Sequence, residues 1–175
     1  MNIQVVARML DMAEHDDTPW LDPQQLRNWK WLMALLEILP SALDAQLKRD
    51  AGVNTFEYLI LAGLSEAPGR ALPLSSLATF AQGSLSRLSH AVSRLEEQGW
   101  VMRRACQQAG RRSEAALTDA GWLKIQQAAP GHVREVRRLV IDILTPDQLG
   151  GIGESAKQVL TAIDPRLAAA LVEET

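Results

Sequence analysis

The residues with the clearest chemical potential lie between positions 84 and 112, where the chain reads SLSRLSHAVSRLEEQGWVMRRACQQAGRR. Six of the eighteen basic residues fall in this stretch and only Glu96 and Glu97 oppose them, although the whole chain carries a net charge of −3. Arginine guanidinium groups bind phosphates and guanine edges, so a segment of this kind can meet a polyanion. The charge distribution therefore favours an anion-binding surface over an ordinary solvated one.

The first half of the stretch has the spacing of an amphipathic helix. Four apolar residues recur every three or four positions, which predicts a helix capped by Ser84 and ending at Gly99. These four, expected to be buried, are Leu85, Leu88, Val92 and Leu95. The opposite face carries short hydroxyls and planar donors, which can approach a DNA major groove closely and contact base edges or phosphates. Its residues are Ser86, Arg87, Ser89, His90, Ser93 and Arg94, and Ser84 at the helix start is a further predicted DNA contact.

A polar segment with four more arginines follows this helix. Short extended stretches at 100–102 and 115–117 flank the run QQAGRRS, which predicts a β-hairpin. Its arginines, suited to a narrow minor groove beside the helix, are Arg103, Arg104, Arg111 and Arg112. The two features together predict double-stranded DNA as the partner. Two alternatives stay open: a plain polar surface, and a protein-interaction adaptor whose arginines meet an acidic partner without specific DNA binding.

The rest of the chain is dominated by helical signals. Capping residues and apolar periodicity predict a long helix from Pro23 to Gly52 with a kink or interruption at Pro40, and further helices at 55–66 and 74–81. A later helix is expected to begin at Thr118, to bend at Pro130 and to resume over 132–144. A last helix is expected at 147–163, followed by an alanine-rich tail. The fold class is therefore mainly α with a small β-hairpin wing.

The domain prediction places a winged helix-turn-helix at 51–118 between N-terminal helices at 1–50 and C-terminal helices at 119–175. The flanking helices carry apolar residues at helical spacing and lack an obvious core of their own. They could pack on each other within one chain, but we expect a two-fold homodimer, because burying each leucine contributes about 1.5–3 kcal/mol. Such a dimer would bind a pseudo-palindromic DNA site.

Composition and missing motifs exclude several other classes. Neither a secretory signal nor an apolar run of about 18 residues is found, so no membrane association is expected and the expected location is the cytoplasm, with the nucleoid. The single cysteine, Cys106, cannot form an internal disulfide. Three scattered histidines lack metal-ligand spacing, and catalytic or phosphate-cradling motifs are missing, so we expect neither an enzyme nor a cofactor.

Several segments together resemble the MarR family of bacterial transcription regulators. They are VNTFEYLILAGL from position 53, then LSSLA, SRLSHAVSRLEEQGWVMRR and GRRSEAALTDAG, within a match over about 29–145. RLSH and the PGHV segment at 130 are similar to the actinobacterial-type subgroup. The resemblance implies a winged helix-turn-helix, a homodimer formed by the terminal helices, and repression relieved by a ligand or by oxidation. It assigns Ser86, Arg87, Ser89, His90 and Arg94 to the recognition helix and Arg111 to the wing; the family's usual wing aspartate is here Ala109.

Switching by a ligand or by oxidation is a further hypothesis. An aromatic cleft between the dimer helices and the DNA-binding part could hold a small aromatic or apolar ligand, with the alternative that these residues are ordinary packing. The candidates are Trp29, Trp100, Trp122 and His132. A hydrogen-bonded histidine at a helix bend is the alternative for His132. Cys106 lies near two arginines in sequence, which would favour a reactive thiol. The MarR-like peroxide sensors carry their reactive cysteine in the first helix, where this chain has none, which favours an incidental residue.

Overall fold

The structure, a computed structural model, describes residues 18–105 and 113–173. The chain divides into two compact units, one ending at Ser41 and one beginning at Ala42. The predictions for Cys106, Ala109, Arg111 and Arg112 fall on 106–112, and therefore lie outside the described residues.

Helix α1 (Pro23–Ala51) is the longest element. The Asp22 carboxylate caps it by accepting the backbone N–H groups of Gln24 and Gln25 at 2.7 and 2.8 Å. Pro40 lies inside the helix, which continues through it, so the interruption that we considered there does not occur. A proline removes one backbone hydrogen bond from a helix, and here the remaining residues sustain the helix on either side.

Three short helices form the centre of the second unit: α2 (Thr55–Glu66), α3 (Leu74–Phe80) and α4 (Leu85–Glu97). Their apolar faces meet in one core, in which Ile60, Leu77 and Leu88 are fully buried. The prediction that Leu85 is buried is wrong, because its side chain is 58% exposed. Leu85 lies in the first turn of the helix, at the edge of its apolar face. Ala91, at the opposite edge of that face, is buried instead.

A small antiparallel sheet follows the helices. Strands β2 (Val101–Ala105) and β3 (Ser113–Leu117) are the predicted hairpin, and they are confirmed. A third strand, β1 (Ala71–Pro73), pairs with the other edge of β3, giving the order β1-β3-β2. Sequence patterns missed β1 because it has only three residues and ends in a proline, which cannot donate to a strand ladder.

The C-terminal part contains α5 (Asp119–Leu139), a 3₁₀ turn (Ile141–Ile143), α6 (Pro146–Ile163) and α7 (Pro165–Glu173). Helix α5 passes through Pro130 but ends five residues before the predicted Leu144. The predicted tail is wrong, because it forms α7. The Asp164 carboxylate accepts the Leu167 backbone N–H at 3.1 Å, so the dipeptide Asp164-Pro165, which ends α6, also starts α7.

Many apolar side chains of the terminal helices lie on the surface. In the first unit they include Trp29, Trp31, Leu36 and Ile38; in the second they include Val133, Ile152, Val159 and Ile163. Even so, no helix within 18–105 and 113–173 is both long and apolar enough to cross a membrane.

Candidate nucleic-acid interface

Helix α4 presents the predicted contact residues on its solvent face. Ser86, Arg87, Ser89 and His90 are all exposed, whereas Ser93 is half-buried. The Ser84 hydroxyl accepts the Arg87 backbone N–H at 3.2 Å, which caps the helix and places its N-terminus beside this face. The face therefore combines short polar side chains, one arginine and the positive end of a helix dipole.

Arg87 stacks on an aromatic ring. Its guanidinium carbon lies 4.1 Å from the ring centroid of Phe56, a core residue of α2 that is 6% exposed. Gly83 also lies against this ring, since a Cβ added there would come within 2.6 Å of ring atoms. Within the described residues no acid pairs with Arg87, so the stacking restricts the orientation of the guanidinium and leaves its donors available.

Arg94, in contrast, is bound within the fold. Its Nε donates to Glu57 Oε1 at 2.8 Å, and that carboxylate is only 12% exposed. The other Glu57 oxygen accepts the Asn54 backbone N–H at 3.0 Å and completes the capping box of α2. Glu57 therefore holds Arg94 while it also caps a helix, a contact between residues that are 37 positions apart.

The arginines of β2 are also engaged in ion pairs. Arg103 binds Glu96 on α4 with Nη1 at 2.5 Å from Oε2, and Arg104 binds Glu114 on β3 with Nε at 2.5 Å from Oε1. Successive residues of a strand point to opposite faces, so Arg103 faces helix α4 and Arg104 lies on the other face beside its cross-strand partner Glu114.

Three acids near the interface are thus paired with arginines. We counted only Glu96 and Glu97 as opposing charges, but the fold brings Glu57 and Glu114 to the same cluster. Glu96 in addition accepts the Arg103 backbone N–H at 2.7 Å. Because three of these four acids are paired, the face opposes a polyanion less than the sequence suggests, and its available donors are Ser86, Arg87, Ser89 and His90.

Solved structures share this arrangement of helices and wing. Sco3205, a MarR family transcriptional regulator from Streptomyces coelicolor solved in complex with DNA, is 41% identical, with a TM-score of 0.80 over 84% of this chain and 96% of that one. The chain belongs to the MarR family. AbsC, a MarR family regulator from the same organism, is 32% identical with a TM-score of 0.80, over 85% of this chain and 100% of its own.

Apo MarR from E. coli shares the fold alone, at 18% identity and a TM-score of 0.61 over 75% of this chain and 95% of that one. No protein-family model matches the chain, and no curated protein matches it. The solved neighbours are transcriptional regulators rather than enzymes, and the winged-helix prediction is confirmed.

The tryptophans proposed for ligand binding have separate surroundings in this MarR chain. Trp100 stacks against Lys124, with Nζ 4.6 Å from a ring centroid, and Trp122 lies under Arg70, whose guanidinium carbon is 4.2 Å away. Trp29, in the first unit, is 43% exposed. Trp100 lines a cleft of about 280 Å³ whose other lining residues are Gly52, Glu57, Arg94, Leu95, Glu97 and Gln98. Trp122 and His132 are not part of that cleft.

His132 is hydrogen-bonded, which was the alternative considered for it. Its Nδ1 lies 3.2 Å from Oε1 of Gln46, and its ring lies 4.6 Å from the ring of Tyr58. The Gln46 amide nitrogen donates to Asp50 at 3.0 Å, so its oxygen faces the histidine and Nδ1 carries the proton. Burial lowers the pKa of His132. The ring is thus held as a neutral packing group between α1 and α5.

Proposed function

We propose that this chain is a DNA-binding transcription regulator that places helix α4 in the major groove. The observation that carries the proposal is the exposed face of Ser86, Arg87, Ser89 and His90, beside which three acids are already paired with arginines. Short side chains allow close approach, and Arg87 can bind guanine O6 and N7 in the bidentate manner. The relative at 41% identity was solved in complex with DNA, which supports the same use here.

The proposal includes a homodimer formed by the segments 1–50 and 119–175, flanking the DNA-binding part at 51–118. The apolar side chains exposed on α1 and α6 support it, because each buried leucine or isoleucine contributes about 1.5–3 kcal/mol. Two-fold symmetry would set two recognition helices about 34 Å apart, so the operator is a pseudo-palindrome. Sedimentation of a monomer at micromolar concentration would contradict this part.

The wing is proposed to reach the minor groove through Arg111 and Arg112, with Arg104 at its base. Arginine suits the negative potential of a narrow minor groove. Regulation is proposed to be repression in the cytoplasm, at the nucleoid, as the family resemblance implies.

Release by a small aromatic or apolar ligand is part of the same proposal, with Trp29, Trp100, Trp122 and His132 as candidate contacts. The cleft beside Trp100 supports it, since Arg94 of the recognition helix lines that cleft as well. A ligand can release DNA only by preferring a conformer that misfits the operator, and DNA must then weaken the ligand equally.

The test is DNA binding by the purified protein, followed by fluorescence anisotropy at two salt concentrations. Its own upstream DNA is compared with an unrelated fragment, and a random-sequence selection follows if neither is preferred. We expect specific binding that weakens steeply with salt. Arg49→Ala, which removes one exposed arginine of α1 that is paired with Asp50, is the charge control for Arg87→Ala. Indifference to DNA in both experiments would favour the protein-interaction adaptor.

A further inference from the structure

The guanidinium of Arg103 lies across helix α4 instead of pointing outward. Nη2 donates to the Ser89 backbone oxygen at 2.8 Å and to the Ser89 hydroxyl at 3.2 Å. Both Nη1 and Nη2 lie 3.2 Å from the hydroxyl oxygen of Ser93, and Nη1 also binds Glu96. One wing residue therefore contacts three residues on successive turns of the recognition helix.

These contacts assign opposite roles to the two serines. The Ser93 hydroxyl accepts from Arg103 and donates to the Ser89 backbone oxygen at 3.1 Å, so its proton is already used. The Ser89 hydroxyl accepts from Arg103 too, yet it is exposed and, in the described part of the chain, its proton has no acceptor. Ser89 is thus left with a hydrogen-bond donor that points to solvent.

A neighbouring guanidinium polarises a hydroxyl, which strengthens it as a donor and weakens it as an acceptor. In the major groove guanine presents only acceptors, N7 and O6, and thymine presents O4, whereas cytosine presents its amino donor. Because one of its two lone pairs is taken and the other is weakened, Ser89 donates more readily than it accepts and so favours guanine and thymine edges over cytosine, whereas a serine with both capacities free would bind either.

We propose that Ser89 is a specificity-determining donor of the recognition helix and that Arg103 is the positioning residue that sets its polarity. This inference rests on the proposed function. It also replaces the prediction that Arg103 contacts DNA, because both of its Nη groups are already taken by Ser89, Ser93 and Glu96. Ser89 prefers a guanine or thymine edge and disfavours cytosine at one position of each half-site.

Random-sequence selection followed by competition binding tests the proposal on the full-length wild type and on five variants: Ser89→Ala, Arg103→Lys, their double variant, Arg103→Ala and Arg104→Lys. Lysine keeps the charge but lacks the planar fork, so it could replace a phosphate contact and not the bridge between two serines. Arg104→Lys is the matched control, since Arg104 is the next residue and binds Glu114 across the hairpin. Thermal melts show that each variant is folded.

We expect Ser89→Ala and Arg103→Lys to lose preference at the same base position, by about twofold to tenfold, the worth of one hydrogen bond. The double variant should lose little more than either single one, and the salt dependence should stay unchanged. Arg104→Lys should keep the wild-type preference.

Three outcomes overturn the inference. If Ser89→Ala, whose side chain is exposed and whose fold should persist, keeps the full preference, Ser89 reads no base. If Arg103→Lys retains the preference, Arg103 is a phosphate contact. The same conclusion holds if Arg103→Ala weakens binding to all sequences and reduces the salt slope by about one. If the wild type binds no DNA, the proposed function fails first and this inference fails with it.

Discussion

Replacing Glu57 by alanine should lower stability and raise nonspecific DNA affinity in the same protein. The two effects have opposite signs because one carboxylate serves two partners, the Asn54 backbone N–H and the Arg94 guanidinium. Its removal opens a helix cap and releases an arginine on the edge of the DNA-facing surface. The two consequences of this one substitution can therefore be distinguished by their opposite signs.

The loss of stability can be estimated from the contacts. One backbone hydrogen bond of a capping box contributes about 0.5–1.5 kcal/mol. The ion pair adds about 0.2–1 kcal/mol, since the Arg94 side chain is 55% exposed and solvent screens the attraction. We therefore expect a loss of about 1–2 kcal/mol in the free energy of unfolding, or roughly 2–8 °C in melting temperature.

The gain in DNA affinity follows from the released charge. Arg94 can then contact one more phosphate per protomer, so the slope of log affinity against log salt should steepen by up to about 0.9 per protomer. Between 50 and 200 mM salt this corresponds to about a threefold larger loss of affinity per protomer. Anisotropy titrations on a fragment without an operator measure it, beside a thermal melt of each protein.

Two variants control for charge and for capping. Glu97→Ala removes the same charge from the end of α4, and in the described part of the chain Glu97 has no ion-pair partner, so it should not steepen the slope as much. Glu57→Gln retains an acceptor for the Asn54 N–H and should keep most of the stability while still releasing Arg94. An unchanged salt slope in both Glu57 variants would refute the claim that Glu57 holds Arg94 from DNA.

Three further predictions concern other parts of the fold. Gly121→Ala should destabilise the protein by more than about 2 kcal/mol, because the added Cβ would lie 2.0 Å from the Trp100 backbone oxygen. Gly150→Ala, where the added Cβ meets open space, should stabilise α6 by up to about 1 kcal/mol. Thermal melts of the two variants compare these effects. Burial lowers the pKa of His132, so the unfolded chain takes up the proton first and stability should fall as pH drops below 6.5. His132→Gln should remove that part of the pH dependence, and an identical melting profile in both proteins would contradict it. Arg87→Ala should cost about 1–3 kcal/mol of operator affinity and relax base preference at one position, while a uniform loss across sequences would indicate a phosphate contact instead.

Local features of the fold were readable from the sequence because their determinants are close in the chain. Asn54, Ser84, Thr118 and Thr145 each cap a helix whose start the sequence predicts, with the side chain accepting a backbone N–H three residues later. The hairpin likewise follows from two short runs and the polar segment between them. Helix α7 was missed because the Asp-Pro pair before it was interpreted only as a stop signal.

The partners of the arginines could not be read in this way. Periodicity places Arg94 on the solvent face of α4, but Glu57 reaches it from another helix 37 residues earlier. Phe56 belongs to the same distant helix, and no local pattern predicts that its ring supports Arg87. The sequence therefore predicts which segment meets DNA, while the roles of single arginines depend on contacts that only the tertiary fold creates.

The described arginines of the 84–112 stretch consequently fall into two groups. Arg94, Arg103 and Arg104 bind acids of the same chain and hold the helix, its neighbour and the wing base together, whereas Arg87 rests on an aromatic ring with its donors available. Part of the charge that first indicates DNA binding thus acts by rigidifying the surface. A rigid surface binds one sequence better than a flexible one does, because less conformational entropy is lost on binding. Substituting Arg103, which binds the recognition helix, should therefore alter selectivity through geometry, and substituting Arg87 should alter it through direct contact.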